Sequence, residues 1–164
     1  MGVSACLLGQ RVRYDGESRP HAWIRDELSK HAQLLPFCPE TGAGLPTPRP
    51  PVKLVRTDDK QIRVQGVDVS GLDVTLLLQQ WSTTQEPYLQ TLDALVFKAR
   101  SPSCGLGSTP VFDLTGEMVT PRGNGVFASW VVANYPHLFV CEDVFLQTKE
   151  NQARFIAHIQ KKII

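Results

Sequence analysis

The sequence predicts an α/β fold: a three-layer, Rossmann-like domain with a mainly parallel central sheet and a β-hairpin excursion. Two observations predict it. Short apolar runs alternate with stretches of helical period, the pattern of strands joined by right-handed crossover helices. One stretch, "VKLVRTDDKQIRVQG", departs from it, setting two alternating apolar–polar runs about a polar turn, and reads as a hairpin.

Each element has its own signal. "VSACLLG" is an apolar run closed by glycine, a buried strand that runs into a loop. Pro20 opens a helix to about Ala32, with Trp23, Ile24 and Leu28 on one face. "LLPFC" is a second strand. "PETGAGLPTPRPP" follows, so rich in Pro and Gly that a stiff, irregular loop is expected rather than a helix. The hairpin comes next. "SGLD" has capping-box spacing, with Ser70 as cap and Asp73 reaching back, before a helix carrying Val74, Leu77, Leu78 and Trp81 that bends ahead of Pro87. "ALVFKA" is a third strand, "GNGVFASWVVANY" a helix with a polar start at Asn124, and "LFVCED" a fourth strand. Thr148 begins the last helix, with Phe155, Ile156 and Ile159 facing inward.

The 164 residues are expected to form one domain over 1–164, large enough to bury a core without disulfides. No apolar run approaches the ~20 residues a membrane helix needs. The N-terminus lacks the basic and long apolar regions of a signal peptide. A cytoplasmic protein with reduced thiols is the expectation, with no membrane and no obligate protein partner. Net charge is +1, so nothing global advertises nucleic-acid binding. Arg11, Arg13, Arg19, Arg49, Lys53, Arg56, Lys98 and Arg100 nonetheless fall near strand ends or loops. They are either solubilising charge or an anion site.

In open parallel sheets, ligands bind outside the carboxyl ends of the strands. Cys6, Cys38 and Cys104 all fall at or just after such ends, beside glycine or proline. Each alone is best read as a small buried hydrophobe; together they point to a shared site. Cys141 lies within a strand with no turn beside it and reads as a structural thiol or bystander. None of the four forms a CxxC pair, so zinc-finger and thioredoxin spacings are missing. Three thiolates can hold zinc with an open position, or an iron–sulfur cluster with one iron free of protein ligands. Thiolate-only ligation favours the cluster, because catalytic zinc usually takes histidine. His21, His31, His137 and His158 fall in or beside helices and read as surface or packing residues.

"VSACLLG", "RYDG", "CPETGAGLPTPRPP" and "KARSPSCG", in that order from residue 3 to 105 with "GNGVFA" beyond, resemble the 2-thiouracil desulfidase (TudS) family. The resemblance implies a [4Fe-4S] cluster on Cys6, Cys38 and Cys104, whose fourth iron takes the substrate sulfur. It also implies a catalytic glutamate and serine, which map onto Glu40 and Ser101. Lys53 departs from the pattern, since relatives often carry an acidic residue shortly after "PRPP". Some relatives add a C-terminal domain and act on thiolated uridine in transfer RNA. For this chain a small substrate is expected, thiouracil or 4-thiouridine monophosphate, converted without net redox change to the oxo form with release of sulfide.

Glu40, two residues from Cys38, is within reach to activate water and then return the proton; capping the chain or pairing with Arg49 is its alternative role. Ser101 can relay a proton or bond a pyrimidine oxygen, or simply form a serine turn. Arg13, Tyr14, Asp15, Arg49 and Ser103 are candidate substrate contacts. Arg49, between two prolines, is favoured for a phosphate or a pyrimidine oxygen. Two rivals remain: a desulfidase of 4-thiouridine in transfer RNA, and a non-catalytic nucleotide- or RNA-binding module with a structural metal, for which Cys141 would be the fourth ligand.

Overall fold

In "ALVF", residues 94–97, side chains alternate between two cores. Ala94 and Val96 enter one, and Leu95 and Phe97 the other. All four are buried, as in a central strand covered on both faces. The computed structural model describes residues 1–161. In chain order the elements are β1 (Gly2–Ser4), α1 (Ala22–Asp26), β2 (Leu35–Phe37), α2 (Pro39–Gly42), β3 (Val52–Arg56), β4 (Ile62–Gly66), α3 (Thr75–Thr84), α4 (Glu86–Leu89), β5 (Ala94–Phe97), β6 (Thr109–Phe112), β7 (Met118–Gly123), α5 (Val126–Asn134), β8 (Phe139–Glu142) and α6 (Lys149–Lys161).

Strands β2-β1-β5-β8 form a parallel sheet. Ile24, Leu28, Phe155 and Ile159 pack one of its faces; Leu89, Phe127 and Val131 pack the other. These are the three layers that the alternation of strands and helices predicts. The hairpin, β3 with β4, is not a lone excursion. It belongs to a second sheet, β4-β3-β6-β7, in which β3 also pairs parallel with β6. Strands β6 and β7 have no counterpart in the sequence reading, because Pro110 and Pro121 interrupt them and β7 is a largely exposed edge with shifted register. Asp113 Oδ1 builds the turn between them, accepting from the backbone N–H groups of Thr115 and Glu117. Val74 and Leu78 pack against Leu54, Val64 and Val111 of the second sheet. Trp81 meets Phe127 of α5 edge to face at 5.1 Å and so joins the two sheets' cores.

Several local expectations change. The first run is strand only to Ser4, after which Ala5–Leu8 is a 3-10 turn closed by Gly9 at φ 93°. The helix expected over 20–32 is α1 plus a separate 3-10 turn, Leu28–Lys30. Residues 39–42 are one helical turn, because Pro39 takes the first-turn position that needs no N–H. Ser70 caps nothing: α3 starts at Thr75, whose N–H donates to Asp73 Oδ1 at 3.0 Å. Leu77 points outward, while Val74 and Leu78 are buried. The last helix starts as expected, with Thr148 Oγ1 accepting from Asn151 N–H at 3.3 Å.

Candidate active site

Three loops leave the carboxyl edge of the parallel sheet, and each carries one thiol. Cys6 lies in the 3-10 turn after β1, Cys38 caps α2 directly after β2, and Cys104 sits seven residues beyond β5. All three line one cleft of about 510 Å³. Glu40, Ser101, Ser103, Arg13, Tyr14 and Arg49 line it too. Asp15 stands behind the lining: it holds the Arg13 guanidinium through two bonds of 3.2 and 3.1 Å and approaches Arg19 at 3.8 Å. Arg13 also lies over the Tyr14 ring, 5.4 Å from its centroid.

The third loop is held most firmly. Ser101 Oγ accepts from the N–H groups of Ser103 and Cys104 at 3.2 and 3.0 Å, the serine turn anticipated as its alternative role. The hydroxyl keeps its own proton to donate. Gly105 and Gly125 are needed for close approach. A Cβ on Gly105 would lie 2.0 Å from Thr109 Oγ1, and one on Gly125 only 2.4 Å from the Ser103 carbonyl carbon. These glycines serve packing within the loop and against α5. Gly105 is not among the residues that line the cleft. The first N–H groups of α5 bond to this loop, Val126 to Pro102 O at 3.0 Å and Phe127 to Ser103 O at 2.9 Å.

Sequence reasoning missed the residues beneath. Asp143 accepts from Ala99 N–H and Lys98 Nζ, both at 2.8 Å. Glu142 accepts from Leu106 N–H at 2.6 Å and from the Ser108 hydroxyl. Ser108 Oγ in turn accepts from Arg100 N–H at 2.7 Å. This fixes Arg100 at φ 61°, a region that side-chain-bearing residues rarely adopt. The only sequence signal was a pair of acids at a strand's carboxyl end. Their neighbour Cys141 packs in the core beside Val3 and Phe155, away from the cleft.

Each oxygen of Glu40 has a partner. Its Oε2 accepts from Arg49 Nε at 2.7 Å and its Oε1 from the Ser103 hydroxyl at 2.9 Å. Pairing with Arg49 and a place on the cleft wall are thus not exclusive. Burial pushes the Cys6 thiol up to about 11, and Cys38 adds to this against Lys98 and Arg13. Burial also drives Cys104 well above the ordinary thiol value, opposed by a hydrogen bond from Ser4. Cys141, buried beside Asp143 and Glu142, rises to about 12. Any metal that takes Cys6 and Cys104 as thiolates must therefore displace their protons, and loading is favoured as pH rises.

Arg13, Arg19, Lys98 and Arg100 complete a basic lining, while Arg11 pairs with Glu17 at the surface. Lys53 lies on the second sheet, over the Phe112 ring at 5.3 Å, and does not line the cleft. No histidine lines the cleft among the described residues. No three His, Cys, Asp or Glu side chains gather around a single-ion point among them either. The donor set is soft and all sulfur, spread around the cleft, which suits a polynuclear group whose ligands bind different irons.

The fold and this edge define a class: α/β domains that present thiols from strand-end loops to a small-molecule cleft. Comparison with known proteins narrows it. The sequence profile of the 2-thiouracil desulfurase family matches residues 1–143. An uncharacterized protein of Bacillus subtilis (strain 168), YbbK, is 31% identical over 132 residues, covering 77% of this chain and 85% of that protein. The solved structure of the [4Fe-4S]-dependent thiouracil desulfidase TudS superposes with a TM-score of 0.70 at 31% identity, covering 100% of this chain and 98% of that one. The chain belongs to the 2-thiouracil desulfurase family of enzymes.

Proposed function

We propose that this enzyme converts a thiolated pyrimidine, thiouracil or 4-thiouridine monophosphate, to the oxo form, using a [4Fe-4S] cluster held by Cys6, Cys38 and Cys104. The observation that carries the reading is the meeting of three free thiols from three strand-end loops in one cleft with a buried carboxylate. The family match and the [4Fe-4S] dependence of TudS support it. The overall change is C=S plus water to C=O plus hydrogen sulfide, with no net electron transfer. Bound there, the cluster would supply a soft, Lewis-acidic iron for the thiocarbonyl sulfur.

The protein's own residues do the rest. Glu40 takes a proton from the attacking water and returns it to the departing sulfur. Ser101 donates its hydroxyl proton to a pyrimidine oxygen or relays it. Arg13, steadied by Asp15 and stacked on Tyr14, contacts a phosphate or ring oxygen at the cleft mouth. Arg19 and Arg100 offer further positive charge. A cytoplasmic setting fits four free cysteines, since reduced thiols persist there.

The test is sulfide release by anaerobically reconstituted protein. Native protein should release one sulfide per oxo-pyrimidine formed. Glu40→Gln should keep its iron and lose rate by about 10² to 10⁴-fold. A loaded protein that binds the nucleotide but releases no sulfide from it, from the free base or from thiolated transfer RNA would leave only the binding-module reading.

A further inference from the structure

We propose that Arg49 is a positioning residue. It fixes the Glu40 carboxylate and joins the loops that bear the three thiols, and it binds no substrate. Its hydrogen bonds carry the inference. Nε donates to Glu40 Oε2 at 2.7 Å. NH1 donates to Pro46 O at 3.2 Å and Thr47 Oγ1 at 3.3 Å, and NH2 to Val12 O at 2.9 Å. The Arg49 backbone N–H donates to Tyr14 O at 2.9 Å. A guanidinium has five N–H donors, so four bonds leave no free fork for a phosphate. The side chain is 6% exposed and the Glu40 side chain 12%.

The connection continues through Glu40 to the Ser103 hydroxyl. One path, Val12–Arg49–Glu40–Ser103, therefore runs from the loop after Cys6, through the helix after Cys38, to the residue before Cys104. It needs a planar group that donates in three directions at fixed angles. The single ammonium of lysine cannot do this from the same backbone. Glu40 thus reaches the cleft already aimed, with one oxygen held by Arg49 and the other by Ser103. The inference rests on the reading of Glu40 as the group that moves the proton.

The test uses R49K, R49M, E40Q and the E40Q/R49M double variant, with iron and sulfide content measured for each. R49M should lower kcat by about 10 to 100-fold, the usual cost of losing an orienting outer partner, with KM little changed on both thiouracil and 4-thiouridine monophosphate. R49K should recover part of that loss. In the E40Q background, R49M should cost little more, because its effect passes through the carboxylate. The native-minus-E40Q difference infrared spectrum isolates the Glu40 carboxylate band without turnover. That band should shift when the same pair is compared in the R49M background. A raised KM for the monophosphate alone would make Arg49 a substrate ligand and overturn the inference. Independent, multiplying losses in the double variant, or an unshifted band, would overturn it too. Should native, loaded protein release no sulfide, the desulfidase reading fails and the infrared band still decides the role of Arg49.

Discussion

Among the cysteines, burial alone does not separate ligand from bystander. Cys6, Cys104 and Cys141 are all buried, and only Cys38 is half exposed. What separates them is the backbone that carries them. Cys6, Cys38 and Cys104 sit on turns at strand ends and line the cleft, whereas Cys141 sits inside β8 and does not line it. Replacing Cys6, Cys38 or Cys104 with Ala should abolish cluster incorporation, while Cys141→Ala should retain it. Iron and acid-labile sulfide analysis of the four purified variants checks this. Because Cys6 must give up a proton held to about pH 11, reconstitution of native protein should also go further at pH 8.5 than at pH 7. Loss of iron confined to the Cys141 variant would reverse the assignment.

Among the elements, the contact between the Cys104 loop and α5 decides whether the third thiol is in place. The helix fills the loop's carbonyls with its free N–H groups, and this requires Gly125, since any Cβ there meets the Ser103 backbone. Gly125→Ala should displace the loop and cost about 1–3 kcal/mol, as overpacking does. In a domain of this size that lowers the melting temperature by about 2–4 °C per kcal/mol. Iron content should fall with it. Gly116, at φ 91° in the exposed β6–β7 turn, is the comparison site: Gly116→Asn should strain the turn yet leave iron content unchanged, because Gly116 does not line the cleft. Thermal melts and iron analysis of both variants measure the difference. Full iron content in Gly125→Ala would show that the loop does not depend on this contact.

For the whole molecule, a near-neutral net charge of +1 meets a cleft of about 510 Å³ with a basic lining. That volume falls in the ordinary range for small ligands. The cations that line the cleft, Arg13, Arg19 and Arg100 among them, suit one phosphate. A transfer RNA reader spreads its charge and neutralises many phosphates, and its affinity falls steeply with salt. Sulfide release from 4-thiouridine monophosphate should therefore fall only gently between about 50 and 200 mM salt. Free thiouracil should be insensitive to salt, and intact thiolated transfer RNA should be a poor substrate. A marked preference for the transfer RNA, lost at moderate salt, would favour the RNA reading.

The parallel sheet and the thiol-bearing edge were legible in the sequence because their signals are local. "ALVF" and "LFV" are apolar without interruption, and each candidate ligand follows an apolar run within seven residues. Glu40 and Ser101 were legible through their distance along the chain from a cysteine, together with the resemblance of the motifs around them. The second sheet was not, because a short strand such as "TPVF", interrupted by Pro110, carries too few residues to show a pattern of its own and forms only by pairing with β3 and β7. The partners of the site were also hidden. Asp143 reaches Lys98 and Ala99 across 45 and 44 positions, and Ser103 reaches Glu40 across 63. No local pattern encodes such pairs. The sequence by itself determined which residues could carry soft-ligand and acid–base chemistry, since residue type and strand-end placement are local properties. Only the tertiary structure decided that Arg49 is committed to Glu40, that Asp15 braces Arg13, and that Glu142 and Asp143 hold the third loop. A hydrogen bond between distant segments exists only once the chain has closed the loop between them, and the backbone on either side of it carries no trace of the partner.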